Sequence, residues 1–245
     1  MILLASKRFS KSTKKQIRQE AGFGCCRCGC EIIQYHHLNP NSNKAKDGMA
    51  LCPGCHDMAT RGAMPKYEQL EYKKNPYNIM QGYSKGRLII NPGTITFLFI
   101  GHNTIEPFGE IIVVNGESLL GITFNANGSI ELSLKLYDEN DNLIMEILNN
   151  EWMSGDYFAW DIEVSYQWLK IRRKKREYIL QIDTRKMIAI TANLWRRGSN
   201  IKLSPEKLEV INPNGDTQFS TKYFQGVHLE NIGFVIDKKG NFRLG

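Results

Sequence analysis

Two paired cysteine motifs constrain this chain more than any other feature. They are Cys25-x-x-Cys28-Gly29 and Cys52-Pro53-Gly54-Cys55, with 23 residues between Cys28 and Cys52. All six cysteines of the 245-residue chain lie in the segment from Cys25 to Cys55. Clustered C-x-x-C pairs are typical of metal binding rather than of a disulfide framework. Four thiolates from two such pairs suit a tetrahedral structural zinc ion. We therefore predict that Cys25, Cys28, Cys52 and Cys55 bind structural Zn²⁺ and staple a small module.

The remaining two cysteines leave alternatives open at the first pair. Cys26 could replace Cys25 as a ligand, although Cys-x-x-Cys-Gly is the usual knuckle turn and favours Cys25 with Cys28. The alternative to a metal site is a set of buried free thiols. In a module of roughly 80 residues, a bound metal ion would supply much of the folding free energy.

The positive charge of the chain is confined to its first third. Residues 1–85 contain 14 Lys and Arg against six Asp and Glu, whereas residues 86–245 carry a net charge of −1. A one-sided basic segment favours a polyanionic partner such as nucleic acid, and the alternative is a solvated basic face. The candidate phosphate-binding residues are Lys14, Lys15, Arg18, Lys44, Lys46 and Arg61. A second basic run, 170–176, is predicted to form the tip of a hairpin. This tip either contacts DNA or only keeps an exposed turn soluble.

The hydrophobic pattern changes near residue 86. Before it, we predict helices over about 14–21, capped by Ser12 or Thr13, over 49–58 and over 67–74, with a strand over 31–37. After it, short apolar runs alternate with turn signals such as Asn127-Gly128, Asp138 to Asn142 and Asn214-Gly215. This pattern predicts an all-β domain, a sandwich or barrel, with a β-solenoid less favoured because no clean repeat is visible. The fold class is therefore α+β, with domains 1–85 and 86–245.

The chain has no apolar run of the ~20 residues that a membrane-spanning helix needs. It also shows no signal-peptide pattern. We expect a soluble, cytoplasmic protein without a membrane partner. Association of copies through the β-rich domain stays open.

Three of the five histidines lie between the two cysteine pairs or directly after the second pair. Tyr35-His36-His37-Leu38-Asn39-Pro40 lies between the two pairs, and His56 directly follows Cys55. With the leading helix that contains Arg18, residues 24–29 and residues 50–56, this arrangement resembles the HNH endonuclease family. The resemblance covers roughly residues 14–66. It implies a ββα-metal nuclease core that holds the two cysteine pairs.

The resemblance implies metal-dependent hydrolysis of DNA phosphodiester bonds, with double-stranded DNA favoured and a use in restriction or phage defence. His37 would be the general base, and His36 and His56 would bind a catalytic divalent ion such as Mg²⁺ or Mn²⁺. An imidazole is neutral enough near pH 7 to take a proton from water. Asp47 occupies the position where the family usually has an Asn that holds the loop orienting the base, and Asp can accept hydrogen bonds there but cannot donate them.

Two other functions stay open beside a nuclease. One is a catalytically weak, zinc-dependent DNA-binding protein whose β domain mediates recognition or oligomerisation, and Asp47 favours it. The other is an interaction protein in which the β domain does the main work and the basic module is an anchor.

Overall fold

A computed structural model of the chain describes residues 8–90, 95–106, 109–155, 160–221, 228–230 and 233–245. In this part the protein is mostly β, with large sheets and four α-helices, which agrees with the β-rich part of the α+β prediction. The small ββα nuclease module stays a prediction. The α-helices are Lys11–Glu20 (α1), Pro53–Thr60 (α2), Lys66–Lys74 (α3) and Tyr77–Gln81 (α4), and a 3-10 turn spans Ala45–Asp47. Within the described ranges, no helix combines the length and the apolar character needed to span a lipid bilayer.

The strands form one small ribbon and two large sheets. In chain order they are Gln34–His37 (β1), Gly48–Leu51 (β2), Tyr83–Arg87 (β3), Ile95–Ile100 (β4), Asn103–Glu106 (β5), Gly109–Val114 (β6), Glu117–Phe124 (β7), Ile130–Tyr137 (β8), Leu143–Leu148 (β9), Glu151–Gly155 (β10), Asp161–Ser165 (β11), Trp168–Lys174 (β12), Glu177–Asp183 (β13), Met187–Arg196 (β14), Ser199–Leu203 (β15), Leu208–Ile211 (β16), Thr217–Ser220 (β17), His228–Glu230 (β18), Phe234–Ile236 (β19) and Phe242–Leu244 (β20). The ribbon is the antiparallel pair β1–β2. The eight-stranded sheet has the order β20-β19-β6-β7-β8-β9-β10-β3. The ten-stranded sheet runs from β11 to β17, and β4, β5 and β18 join it through β14.

Four of the hairpin turns share one local signature. Each begins with an Asn or Asp whose side-chain oxygen accepts the backbone N–H groups two and four residues later, at Asn125, Asp138, Asn212 and Asp237. The fourth residue of each turn has a positive φ, and it is glycine in three of the four turns. Asn and Asp favour such turns because the short side chain satisfies nearby backbone donors. The turns predicted at Asn127-Gly128, Asp138 to Asn142 and Asn214-Gly215 are therefore confirmed.

The helix boundaries of the N-terminal region differ from the predicted ones. α1 begins at Lys11 because Ser10 is the N-cap, and its hydroxyl accepts the Thr13 N–H at 3.1 Å. The helix predicted over 49–58 is in fact strand β2 followed by α2. Cys52 caps α2 and Pro53 takes its first position, where the missing N–H of proline costs nothing. The prediction of a helix over 67–74 is confirmed, with α3 one residue longer.

Two hydrophobic clusters hold the chain together. The smaller one packs residues of α1, the β1–β2 ribbon and α2, among them Ile17, Met49 and Leu51. The larger one unites the inner faces of the two large sheets. The boundary predicted between residues 85 and 86 falls inside β3, which pairs with β10 in the eight-stranded sheet. The division into two domains stays a prediction.

Candidate functional site

Four cysteines form a compact cluster between the first knuckle and the start of α2. The Sγ atoms of Cys25, Cys28, Cys52 and Cys55 all lie within 4.8 Å of one another. The Cys28–Cys52 and Cys28–Cys55 sulfur distances are 3.8 and 3.9 Å. Zn–S bonds of ~2.3 Å in a tetrahedron place the sulfurs about 3.8 Å apart. The cluster could therefore bind a metal ion such as zinc, and Cys26 and Cys30 are not part of it.

The backbone around the cluster explains its shape. Gly29 adopts a φ of 75° and donates its N–H to the Cys25 carbonyl at 2.8 Å, which closes the first knuckle. At the second pair, the Cys55 N–H points to the Cys52 sulfur at 3.4 Å. Burial would raise the pKa of the Cys52 thiol, but hydrogen bonds from Cys55 outweigh it and hold the pKa below its ordinary value. The start of a helix favours the thiolate form in the same way.

A cation accompanies the cysteine cluster. The Arg27 guanidinium lies 3.7 Å from the Cys55 sulfur and 3.3 Å from the Met58 sulfur. Four thiolates around one divalent ion leave a net negative charge. Arg27 is placed to offset part of that charge.

His36 and His56 face each other beside this cluster. Their ring centroids are 5.2 Å apart in an edge-to-face arrangement. His56 is the residue after Cys55 on α2, so the cysteine cluster also fixes the place of His56. Burial lowers the pKa of His36, and the charge of His56 acts in the same direction. The neutral imidazole, which has a lone pair for a metal ion, is thereby favoured at His36.

His37 points to the opposite side of β1, against the segment before α1. Its ring stacks on the Phe9 ring at a centroid distance of 3.9 Å and an interplanar angle of 8°. Gly48 lies opposite His37 in the ribbon, and a Cβ there would come within 2.6 Å of the Phe9 ring. His37 Nδ1 lies 3.2 Å from the Ser42 carbonyl oxygen. A proton on Nδ1 satisfies that carbonyl, which leaves the lone pair on Nε2.

Asp47 holds the loop that follows His37. Its carboxylate accepts a hydrogen bond from the Ser42 hydroxyl at 2.6 Å. Its carbonyl accepts the Leu38 N–H at 2.8 Å. Lys66 also donates to the Leu38 carbonyl. Asp47 is the acceptor in its hydrogen bonds with Ser42 and Leu38. The side-chain N–H donor of an Asn is therefore not needed for these two contacts.

All the predicted phosphate-binding residues except Arg18 fall into two groups. Lys44, Lys46 and Arg61 are exposed, and Arg61 pairs with Asp57 one turn earlier on α2 at 2.7 Å. The two lysines of α1 lie against aromatic rings. Lys14 Nζ is 5.1 Å from the centre of the Tyr35 ring, and Lys15 Nζ is 3.7 Å from that of Trp160.

Arg18 lies in a buried ion-pair network rather than on an open face. It is 8% exposed and donates two hydrogen bonds to Asp161 of β11, at 2.9 and 2.7 Å. It also contacts Glu163 and the Tyr35 hydroxyl. Arg172, from the basic run, reaches the same Asp161 carboxylate at 2.9 Å. The ion pairs of Arg18 therefore connect α1 to β11. Its guanidinium is buried against carboxylates and does not lie on an exposed face where a phosphate could bind.

Three residues that the sequence interpretation did not single out contact the histidines. Phe9 stacks on His37, the Ser42 carbonyl accepts the hydrogen bond from His37 Nδ1–H, and Gln69 of α3 lies 3.2 Å from His36 Nε2. All three are common residue types outside any motif. Gln69 lies in a predicted helix, but only its packing shows that it is buried.

Comparison with protein-family models, with curated proteins and with solved structures found no match to this chain. The site is therefore interpreted from its own geometry. Two features define it: a four-cysteine cluster that could bind a metal ion, and three histidines held on β1 and α2 beside it.

Proposed function

We propose that the protein is a metal-dependent endonuclease of the HNH type that hydrolyses DNA phosphodiester bonds. The observation that carries the proposal is the facing pair His36 and His56 beside a four-cysteine cluster, with His37 hydrogen-bonded through Nδ1. The order of β1, β2 and α2 along the chain supports it, because a ββα core is expected of that family. Zinc at the four cysteines would be structural.

His37 is the general base in this proposal. Its Nδ1–H donates to the Ser42 carbonyl, so Nε2 is the nitrogen that takes the proton of the attacking water. Stacking on Phe9 fixes the plane of the ring. Asp47 contributes indirectly, because its hydrogen bond to the Ser42 hydroxyl holds the loop that supplies the carbonyl.

His36 and His56 would hold the catalytic divalent ion, Mg²⁺ or Mn²⁺. Two neutral imidazoles leave most of the coordination shell to waters and phosphate oxygens, which these ions prefer. The ion would supply charge neutralisation at the leaving oxygen of the phosphodiester.

Double-stranded DNA is the proposed substrate. Lys44 and Lys46 are exposed on the loop between His37 and β2, and Arg61 is exposed just after α2. Each phosphate contact releases condensed counterions, so the affinity should fall steeply with salt. Removing one contact lowers the slope of log K against log salt by about 0.9.

A plasmid-cleavage assay on the full-length, zinc-loaded protein tests the proposal. We expect cleavage with Mg²⁺ or Mn²⁺, none with EDTA, and a loss of roughly 10²–10⁴-fold in His37→Ala. His102→Ala is the matched control, because His102 is an exposed histidine far from the motif in sequence. The proposal is wrong if His37→Ala cuts as fast as the parent while it retains its fold and zinc.

The second candidate is a DNA-binding protein that does not cut, and Asp47 is the residue that favours it. Salt-dependent DNA binding without cleavage in any metal ion would support this alternative. If Asp47→Asn then gained cleavage, the missing amide donor would be the cause.

A further inference from the structure

Helix α3 adds a buried amide to the histidine site. Gln69 is 5% exposed, and its side chain lies between the Met64 carbonyl and the His36 ring. The segment that resembles a known family ends at the first residue of α3, so no motif assigns a role to Gln69.

The hydrogen bonds of Gln69 define which way its amide points. Its Nε2 donates to the Met64 carbonyl at 2.8 Å. The amide oxygen is therefore the atom that faces His36, at 3.2 Å from His36 Nε2. A carbonyl oxygen can only accept, so His36 Nε2 must carry the proton. The lone pair of the neutral ring is then on Nδ1.

We infer that Gln69 is a positioning residue that fixes the tautomer and orientation of His36, so that Nδ1 is the atom offered to a divalent metal ion. The inference rests on the proposed function for the identity of His36 as a metal ligand. Histidines that bind metal ions commonly donate their other ring N–H to a carbonyl or carboxylate, and removal of that partner weakens metal binding by ~10–100-fold.

The geometry also explains why the amide is buried. A buried polar side chain is costly unless its donors and acceptor are satisfied. Both ends of the Gln69 amide are hydrogen-bonded, the nitrogen to the Met64 carbonyl on the loop before α3 and the oxygen to His36 on β1. Movement of α3 would therefore turn the His36 ring, and the helix acts as a support for the site.

The test uses full-length, zinc-loaded protein and two readouts that do not depend on turnover. Nitrogen-15 NMR reports the His36 tautomer in the absence of added Mn²⁺, and calorimetry reports the Mn²⁺ affinity. His56→Ala defines the signal that belongs to the two-histidine site. Gln69→Met removes the acceptor at similar volume, and Gln69→Glu retains an acceptor. Leu70→Met is the matched control, because Leu70 is an exposed neighbour on α3.

We expect the Nε2–H tautomer in the parent protein, in Gln69→Glu and in Leu70→Met. Gln69→Met should lose the single tautomer and bind Mn²⁺ ~10–100-fold more weakly. If Gln69→Met does not fold, Gln69→Asn withdraws the acceptor by one methylene and should give the same losses.

The inference is overturned if the parent holds His36 as the Nδ1–H tautomer. It is equally overturned if a folded Gln69→Met or Gln69→Asn retains both the tautomer and the Mn²⁺ affinity. Plasmid cleavage separates this failure from that of the proposed function. A parent that binds Mn²⁺ in a Gln69-dependent way but never cuts DNA refutes the nuclease, whereas a parent that cuts through His37 with no effect of Gln69 refutes the positioning role.

Discussion

Replacement of Arg18 by Met would remove the centre of the buried network that joins α1 to β11. Asp161 is 2% exposed and depends on three short charged contacts, two from Arg18 at 2.9 and 2.7 Å and one from Arg172 at 2.9 Å. Met has a similar length but no charge, so the variant tests the ion pair with little change in packing.

The expected loss of unfolding free energy depends on which charged partners Asp161 keeps in the variant. Loss of one partner from a buried ion pair costs ~3–5 kcal/mol when the remaining charge is left alone. Arg172 still reaches Asp161, so we expect the lower end, about 3 kcal/mol of unfolding free energy. Lys15→Met is the control on the same helix. Among the described residues Lys15 contacts the Trp160 ring, and we expect the loss of that contact to cost less than ~1 kcal/mol.

Urea unfolding of the zinc-loaded protein, followed by tryptophan fluorescence, measures both variants. The transition of Arg18→Met should move to lower urea with an unchanged slope, because the exposed surface on unfolding is the same. A double-mutant cycle with Asp161→Asn should give a coupling energy of at least ~1.5 kcal/mol. If Arg18→Met changes the unfolding free energy by less than ~0.5 kcal/mol, the range of ordinary surface substitutions, the buried network is not a stabilising contact.

Three further predictions test the metal cluster, the network and the edge of the eight-stranded sheet. If the four cysteines bind zinc, Cys52→Ala should abolish zinc binding in elemental analysis and unfold the N-terminal region, whereas Cys30→Ala should not change the zinc content. Burial raises the pKa of Glu163, but the guanidinium groups beside it outweigh burial and hold the pKa below its ordinary value. The stabilising effect of the ionised Glu163 is therefore complete above the unfolded pKa of ~4.3 and is lost as pH falls through the lower folded pKa. The decrease of melting temperature at acid pH should accordingly be smaller in Glu163→Gln than in the parent protein. Gly86→Ala places a Cβ 2.7 Å from a buried indole ring and should cost ~1–3 kcal/mol in thermal unfolding. Gly54→Ala should cost nothing, because its Cβ would meet no described atom outside its own helix within 4 Å.

The N-terminal site depends on contacts from four separate segments. The cysteine cluster connects the first knuckle to α2, and α2 carries His56. β1 supplies His36 and His37, and α3 supplies Gln69. A metal ion at the cysteines would therefore also help to fix the distance between His36 and His56, since His56 follows Cys55 in sequence.

Local features of the molecule could be predicted from the sequence because their causes are local. The spacing of each Cys-x-x-Cys pair brings two sulfurs together within one turn, and the choice of Cys25 with Cys28 agrees with the cluster in the structure. The Asn and Asp turns satisfy their own backbone donors within five residues, and alternation at period two indicates a strand wherever it occurs. The β-rich class and the cysteine cluster follow from these patterns.

Only the tertiary structure decided which charged and polar side chains are exposed. Arg18 and Lys44 are both cations in a basic segment, yet Arg18 is buried because it meets Asp161, 143 residues away in sequence. Gln69 resembles any polar residue of an exposed helix until its side chain meets His36 of β1. Such pairings depend on how distant segments meet. The free energy that buries a charge or an amide comes from partners that no local pattern contains.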